Sequence, residues 1–223
     1  MSVIHRTTLT PTKLELLISW LPTRPWYQRG TSEPELAKAG GFRLDDPEGE
    51  VGIEFMVVTD TDTDTDTDSA HQVTYLVPLT YRGAPLDGAE HALLGTTEHG
   101  VLGRRWVYDG CHDPVLVRQL TALLEGRAQP QMQSVSDTAD PDVLVSHTAD
   151  RPLPADFTVT DEPERTVLTA PRGTTLHLHR VLRPTPAESP SAFPEAAGHV
   201  TAGWQPPNGD PVRGVFAVLY DRP

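Results

Sequence analysis

The sequence predicts an α+β fold: an antiparallel sheet packed against helices, followed by a smaller and mostly antiparallel β unit. Two segments, at 10–22 and 113–126, carry apolar residues at helical spacing. Between them lie short apolar runs bounded by turn residues, and after residue 142 the pattern is that of strands alone. Consecutive strands with short links favour antiparallel pairing, and helices that flank a group of strands are typical of α+β units.

The first predicted helix begins after Thr10, which suits an N-cap, and continues from Pro11 until Pro22 stops it. Its apolar side chains recur at positions i, i+3, i+4 and i+7 and form one stripe: Leu14, Leu17, Ile18 and Leu21. Trp26 and Tyr27 follow directly, and we expect them to pack back on this helix.

Four strands are predicted after the first helix. The run at 39–44 leads into the first strand, at 50–58, and the run at 71–82 pairs naturally with that strand. Two further runs, at 89–100 and 103–110, complete an antiparallel meander. In the last run Trp106 alternates with its neighbours on a strand, so we expect its side chain to face the core.

The second helix has clear signals at both ends. Asp113 is a good N-cap, Pro114 suits the first helical position, and Gly126 ends the helix. One face of this helix is aliphatic and carries Leu116, Leu120, Leu123 and Leu124.

The aliphatic content falls sharply over residues 127–141. This predicts a linker between an α+β domain at 1–126 and a β-rich domain at 142–223. In the second domain, five runs read as strands: 142–148, 165–170, 174–182, 198–205 and 214–221. A turn is predicted at 171–173, inside this part of the chain.

The composition limits the functional classes. The chain of 223 residues has a net charge of −13, with 31 acidic against 18 basic residues and no Lys/Arg stripe. Such a chain repels phosphate backbones, which argues against nucleic-acid binding. It also offers no evident cationic clamp for a triphosphate. A single cysteine excludes an internal disulfide, no apolar run is long enough for a membrane span, and the start lacks a signal-peptide core. We therefore expect a cytoplasmic protein.

Two patterns suggest metal binding without meeting its requirements. The Thr-Asp repeat at 59–68 places five carboxylates at alternate positions, but lacks the glycine and glutamate of an EF-hand loop. We interpret it as a flexible, solvated hairpin tip, with a cation site as the weaker alternative. His177 and His179 share one strand face, and further histidines lie at 71, 91 and 112, but no spacing gathers the three ligands that zinc needs.

The stretch 102–126 concentrates polar and aromatic side chains. Its candidate functional positions are Arg104, Arg105, Trp106, Tyr108, Asp109, His112 and Asp113. Cys111 and His112 are adjacent, so their side chains point apart and make a poor nucleophile and base, and Cys111 is better explained as a small residue in a tight turn. Capping explains Asp113, an Asp-Gly turn explains Asp109, and one arginine is expected to pair with an acid across the sheet. No catalytic set, cofactor site or metal site is predicted.

Three segments in order resemble the N-terminal cap of actinobacterial maltokinases: LLISWLPTRPWYQRG, YLVPLTYRGAPLDGAEHALLG and LGRRWVYDGCHDPVLVRQLTALLEG, at 16–30, 75–95 and 102–126. Enzymes of that family phosphorylate maltose with ATP and supply an α-glucan pathway that starts from trehalose. The resemblance implies a cystatin-like cap, in which a curved antiparallel sheet packs on a helix.

A weaker resemblance covers about 160–221. TTLHLHRVLRPTPAE is similar to the strand that carries the ATP-contacting lysine in the family's Leu-Lys-Leu-Phe-Arg run, and GHVTAGWQPPNGDPVRGVFAVLYD is similar to later strands of the kinase intermediate, or N-terminal, lobe. His177 stands at the lysine position, where a neutral imidazole does not replace an ammonium group on nucleotide phosphates. The sequence also contains no counterpart of the C-terminal lobe that holds the catalytic aspartate and the Mg²⁺ ligands in such kinases.

These features lead to three hypotheses. The first is a non-catalytic binding or regulatory protein of trehalose and α-glucan metabolism, whose partner is a maltokinase, a trehalose synthase or a branching enzyme. The second is one half of a split sugar kinase that acts with a separate C-terminal lobe. The third is a carbohydrate-binding module that binds a sugar or glucan on Trp106, Trp204 or Tyr108.

Overall fold

A computed structural model gives the fold over residues 9–28, 33–61, 72–135, 137–148, 152–185, 193 and 195–221. The structure is mostly antiparallel β-sheet with two α-helices, which confirms the α+β class. Among the described residues, no helix has the length and apolarity that crossing a membrane requires. Most of the Thr-Asp repeat and His71 lie outside the described residues.

The elements in chain order are β1 (Leu9–Thr10), α1 (Lys13–Trp20), β2 (Leu36–Leu44), β3 (Gly52–Asp60), β4 (Val73–Arg82), β5 (Leu93–His99), β6 (Gly103–Asp109), α2 (Pro114–Leu124), β7 (Gln131–Met132), β8 (Leu144–His147), β9 (Thr158–Asp161), β10 (Arg165–Thr169), β11 (Thr175–His179), β12 (Val181–Leu182), β13 (Gly198–Trp204) and β14 (Val212–Tyr220). Short 3₁₀ turns lie at 21–23, 90–92, 110–112 and 171–173. The predicted turn at 171–173 is thus confirmed.

All described strands belong to one sheet. Its order is β1-β5-β6-β4-β3-β2-β13-β14-β11-β10-β9, with β7 on β2, β8 on β13 and β12 on β4. Every pairing is antiparallel, and the junction between the two halves of the sheet is the pair Trp204 and Gly40. The predicted β3–β4 hairpin is confirmed, with nine paired positions from Gly52 with Tyr81 to Asp60 with Val73.

The predicted meander is wrong at one place. β4 pairs with β6 and not with β5, which lies one strand further out. The connection at 83–92 crosses over the sheet, and its Ala89 and Ala92 form a small cluster with Tyr108. Trp106 packs against this cluster and is only half-buried, so the prediction that it is a core residue is also wrong. Trp106 lies opposite Arg82, the last residue of β4.

The N-terminus of α1 is fixed by a capping box. The Thr12 hydroxyl accepts a hydrogen bond from the Glu15 N–H (3.2 Å), and the Glu15 carboxylate accepts one from the Thr12 N–H (2.6 Å). The predicted cap at Thr10 is wrong, because Thr10 is paired in β1. Of the predicted apolar stripe, Leu17 and Leu21 are buried, whereas Leu14 and Ile18 are only half-buried. Leu16 and Trp20 are buried as well, and the ring centroids of Trp20 and Trp26 lie 5.8 Å apart.

The central strand β3 is buried on both faces, which explains its nearly continuous apolar sequence. Ile53, Phe55 and Val57 face a cluster that includes α2, whereas Met56 and Val58 face α1. The predicted caps of α2 are confirmed. The Asp113 side chain accepts from the Val115 N–H (2.9 Å), and Gly126 has the positive φ (+70°) of a helix terminator. All four predicted leucines of α2 are buried.

The division into domains at 1–126 and 142–223 stays a prediction, and the structure adds contacts between the two parts. Gln131 and Met132, within the predicted linker 127–141, pair with β2. One hydrophobic cluster contains side chains from both parts, including Phe42 and Phe216, whose ring centroids lie 6.1 Å apart.

A buried ion pair also joins the two parts. Arg180 Nη2 donates to Asp109 Oδ2 at 2.6 Å, and the two side chains are 0% and 1% exposed. Arg180 Nε donates to Thr166 Oγ1 at 2.6 Å. The guanidinium carbon of Arg180 lies 4.9 Å from the centroid of the Trp26 ring. Both charged residues lie along β4: β6 ends at Asp109 opposite Leu79, and the Arg180 carbonyl accepts from the Leu76 N–H.

Gly41 provides a test of this packing. It has φ +120°, and a Cβ there would lie 1.9 Å from the Phe55 carbonyl oxygen and 2.7 Å from Gln133 Nε2. We expect Gly41→Ala to lower the free energy of unfolding by at least about 3 kcal/mol, because backbone strain and overpacking act together. Gly88→Ala is the matched control, since Gly88 also has positive φ (+78°) but open space around its Cβ position. The control should cost about 1 kcal/mol, and equal losses in urea unfolding would contradict this account.

Candidate functional site

A cleft of about 940 Å³ opens on the α1 face of the sheet, next to the first turn of α1. We name it the Glu54 cleft. Five cationic side chains line it: Lys13, Lys38, Arg43, Arg82 and Arg105. Three acidic side chains line it as well: Asp46, Glu50 and Glu54. The cleft is therefore cationic although the chain as a whole has a net charge of −13.

Glu54 is the buried centre of the cleft. Its side chain is 5% exposed, and its Oε2 accepts from Lys13 Nζ at 2.5 Å and from the Tyr81 hydroxyl at 2.7 Å. Gln133 Nε2 donates to the other oxygen, Oε1, at 3.1 Å. The Lys13 ammonium group also lies 5.3 Å from the centroid of the Tyr81 ring. This carboxylate is held by partners from α1, from β4 and from the segment after β7.

These contacts set the protonation states. Burial disfavours the charged form of Glu54, but attraction to Lys13 and the hydrogen bonds from Lys13 and Tyr81 outweigh burial and lower its pKa. Burial, with the neighbouring Glu54 charge, raises the pKa of Tyr81 well above its usual value. At neutral pH the cleft therefore holds a charged carboxylate and a neutral phenol, and Tyr81 acts as a hydrogen-bond donor.

Lys38 adds a second ammonium group to the same cleft. Desolvation of this group and repulsion from Lys13 lower its pKa, while attraction to Glu54 opposes the shift. Lys13 and Lys38 are the two lysines of the entire chain. Although they are far apart in sequence, both line the Glu54 cleft.

Two arginines of the cleft differ in how they are held. Arg82 makes a bidentate pair with Asp113, with Nε to Oδ2 at 2.6 Å and Nη2 to Oδ1 at 2.7 Å. Arg105 Nη2 donates to the Leu102 carbonyl at 2.9 Å. Arg105 Nε is buried and has no hydrogen-bond partner in the described part of the chain. A Cβ on Gly83 would lie 2.7 Å from Arg105 Nη1, so Gly83 leaves room for this guanidinium.

The structure assigns structural contacts to most of the sequence-predicted positions. Arg104 pairs with Glu98 across the sheet at 2.8 Å, as predicted for one of the arginines. Asp113 caps α2 as predicted and also binds Arg82. Asp109 accepts from the Cys111 N–H at 3.1 Å, as its turn role predicts, but it is buried and also binds Arg180. Of the predicted positions, only Arg105 lines the Glu54 cleft.

Cys111 and the histidines are part of no metal-holding group of three side chains among the described residues. Cys111 is buried, and burial raises the pKa of its thiol well above the usual value, which confirms its interpretation as a packed residue. His112 lies against His91, with Nδ1 and Nε2 3.1 Å apart, a contact that the sequence did not predict. His177 and His179 are partly buried strand residues, and burial and Arg165 lower the pKa of His179 to about 4. Within the described ranges, no three His, Cys, Asp or Glu side chains are placed to hold a metal ion.

The first aspartate of the Thr-Asp repeat differs from the prediction of a solvated tract. Asp60 is fully buried at the end of β3 and accepts from the Tyr27 hydroxyl (2.9 Å) and the Glu35 N–H (3.2 Å). Its partners come from Tyr27, which follows α1, and from Glu35, which directly precedes β2.

Two of the three aromatic positions considered for sugar stacking are buried. Trp204 is 5% exposed and contacts Phe216, and Tyr108 is 2% exposed with its hydroxyl bound by the Leu86 N–H. Burial therefore argues against both side chains as a stacking platform for the carbohydrate-binding hypothesis. Trp106 is half-buried.

The sequence contained signals for the Glu54 cleft. Glu54 is a lone charge within the apolar run GIEFMVV, and a charge at such a position needs a partner when the strand is buried on both faces. The sequence does not show which partner, because Lys13 is 41 residues away along the chain.

We expect Glu54→Gln to lower the free energy of unfolding at pH 7 by about 2 kcal/mol, since it removes the charge that Lys13 and Lys38 share. The folded-state pKa of Glu54 lies below its ordinary value of 4.5. The stabilisation by Glu54 is therefore fully present above about pH 4.5 and is lost as pH falls through the folded-state pKa.

Urea unfolding at a series of pH values measures this. The matched control is Glu98→Gln, which removes an exposed acid of an ion pair and should cost less than about 0.5 kcal/mol. A difference between wild type and Glu54→Gln that grows on acidification would contradict the assignment.

A family model described as the maltokinase N-terminal cap domain matches residues 20–113. A comparison with curated proteins finds no match for the chain. The matched range runs from the last residue of α1 to the N-cap of α2 and contains strands β2 to β6. Lys38, Glu54 and Tyr81 lie inside this range, whereas Lys13 and Gln133 lie outside it. Residues 20–113 therefore form a maltokinase cap-like domain, as the sequence motifs predicted.

Proposed function

We propose that the protein is a non-catalytic binding or regulatory protein related to the maltokinase cap, acting in trehalose and α-glucan metabolism. The supporting observation is the use of the two aspartates in the motif that resembles the cap. Asp109 neutralises the buried Arg180, and Asp113 holds both Arg82 and the first turn of α2. Side chains engaged in this way stabilise a scaffold. The match of residues 20–113 to the cap-domain model relates this scaffold to maltokinases.

The environment of His177 supports the same proposal. His177 pairs with Val167 and Val218 in the interior of the sheet, and its ring lies 4.8 Å from Tyr220. Burial, assisted by Arg165, lowers the pKa of His177, so the imidazole is neutral at pH 7. A neutral, ring-packed imidazole provides none of the charge that an ammonium group provides to nucleotide phosphates.

The proposal includes a cystatin-like cap and a degenerate kinase N-terminal lobe. The α1 helix across an antiparallel sheet supports a cystatin-like cap, and the adjacent strands β13, β14, β11 and β10 support a degenerate kinase N-terminal lobe. The partner would be a maltokinase, a trehalose synthase or a branching enzyme, and the location would be the cytoplasm. A single cysteine, buried in the structure, is compatible with that compartment.

A phosphorylation assay tests the proposal. The purified chain is incubated with ATP, Mg²⁺ and each of maltose, glucose and glucosamine, and ADP release is followed in a coupled assay. We expect no turnover above the protein-free background, because the proposed role requires no phosphoryl transfer. Wild-type turnover that His177→Ala abolishes would overturn the proposal. His199→Ala, on β13, is the control for loss of a partly buried strand histidine.

Two further experiments distinguish the two alternative functions, a split kinase and a carbohydrate-binding module. Turnover that begins only when a separate kinase C-terminal lobe is added would support the split-kinase hypothesis. Binding of a neutral glucan that Trp106→Ala abolishes, in a variant that remains folded, would support the carbohydrate-binding module.

A further inference from the structure

The Glu54 cleft holds more positive charge than its own acids neutralise. Lys13 and Lys38 share the single carboxylate of Glu54, which leaves one cationic charge in excess. Arg105 adds another, because its described hydrogen bond goes to a neutral carbonyl. Arg82 adds none, since Asp113 neutralises it in a bidentate pair. Arg43, Asp46 and Glu50 also line the cleft and together subtract one positive charge, so the lining keeps a net positive charge that an anionic occupant would balance.

The arrangement of the donors also favours an anion. The Lys13 side chain is 31% exposed, so part of it remains accessible while its ammonium group binds Glu54. Arg105 has a buried Nε without a hydrogen-bond partner among the described residues, and a donor left in that state is costly unless a ligand or water accepts from it. Gly83 has no side chain, and a Cβ at this position would lie 2.7 Å from Arg105 Nη1.

The size of the cleft leaves room for an occupant larger than a bare ion. Its volume of about 940 Å³ is within the range of sites for organic ligands. Gln133 and Tyr81 place an amide and a phenol beside the cationic groups, and apolar side chains such as Leu9 and Leu102 complete the wall. Such a mixture suits a molecule with one strongly charged end and a larger, less polar remainder.

We propose that the Glu54 cleft binds a small organic phosphomonoester, with the phosphate held by Lys13, Lys38 and Arg105. A phosphomonoester has close to two negative charges at neutral pH, and the net positive charge of the cleft attracts it. Ammonium groups act as point charges for phosphate, and a guanidinium adds directed donors. This inference rests on the proposed binding function and names the ligand class of its site.

Isothermal titration calorimetry with glucose 6-phosphate tests the proposal, with glucose as the uncharged counterpart. We expect saturable binding of glucose 6-phosphate and at least tenfold weaker binding of glucose. Lys38→Met should weaken the binding of glucose 6-phosphate about tenfold, because it removes one charge-assisted contact. Lys38 is exposed, so this variant is expected to fold. Arg118→Met is the matched control, because it removes one exposed cationic charge on α2, outside the cleft, and should change affinity less than twofold.

The lysine content of the chain gives a second, independent readout. Selective ¹³C labelling of lysine yields Cε resonances from only two residues, Lys13 and Lys38. We expect both resonances to shift saturably with glucose 6-phosphate. Absence of binding up to millimolar concentration, unchanged lysine resonances, or equal losses in Lys38→Met and Arg118→Met would overturn the proposal. The two proposals fail separately, since ATP turnover contradicts the non-catalytic function, whereas these results contradict only the ligand class.

Discussion

The buried ion pair of Arg180 and Asp109 constrains the relation between the two parts of the chain. Each group loses several kcal/mol of hydration on burial, so the pair is tolerated only with good geometry and additional partners. Thr166, the Trp26 ring and the Cys111 N–H provide those partners. Attraction to Asp109 outweighs burial and raises the pKa of Arg180. We infer that the pair specifies how the parts join more than it adds stability.

The position of this pair explains the path of the sheet around β4. Pro78 has no N–H to donate, and pairing with β6 begins one residue later, at Leu79 with Asp109. On the other side of this point, β12 pairs with Tyr75 and Thr74. Arg180 lies between the two pairings, where its guanidinium reaches the end of β6. Arg180, which lies between β11 and β12, therefore meets the cap-like domain at Asp109, the last residue of β6.

Local signals made part of this fold predictable. Asp113, Pro114 and Gly126 fix the ends of α2 through contacts within a few residues, and the β3–β4 hairpin follows from two adjacent apolar runs. The position of β5 was not predictable in this way, because the crossover at 83–92 depends on packing against Tyr108. The prediction that Trp106 is a core residue failed because alternation along a strand does not show where the sheet ends.

The candidate site depends on long-range contacts. Arg180 and Asp109 are 71 residues apart in sequence, and Gln133 and Glu54 are 79 apart. A net charge of −13 also concealed the local cationic excess, because the composition averages over surfaces that the fold separates. A lone glutamate in a doubly buried strand indicates a polar partner, but only the three-dimensional structure identifies Lys13.

A double-mutant cycle on the central ion pair tests this account most directly. Asp109→Asn, Arg180→Met and the double variant are unfolded in urea at pH 7, with tryptophan fluorescence as the probe. Each single variant leaves a buried group without its partner and should cost about 3–5 kcal/mol. The account predicts that the double variant loses less than the sum of the single losses, by at least about 2 kcal/mol. Losses that add to within about 0.5 kcal/mol would contradict it, because Asp109 and Arg180 would then act independently.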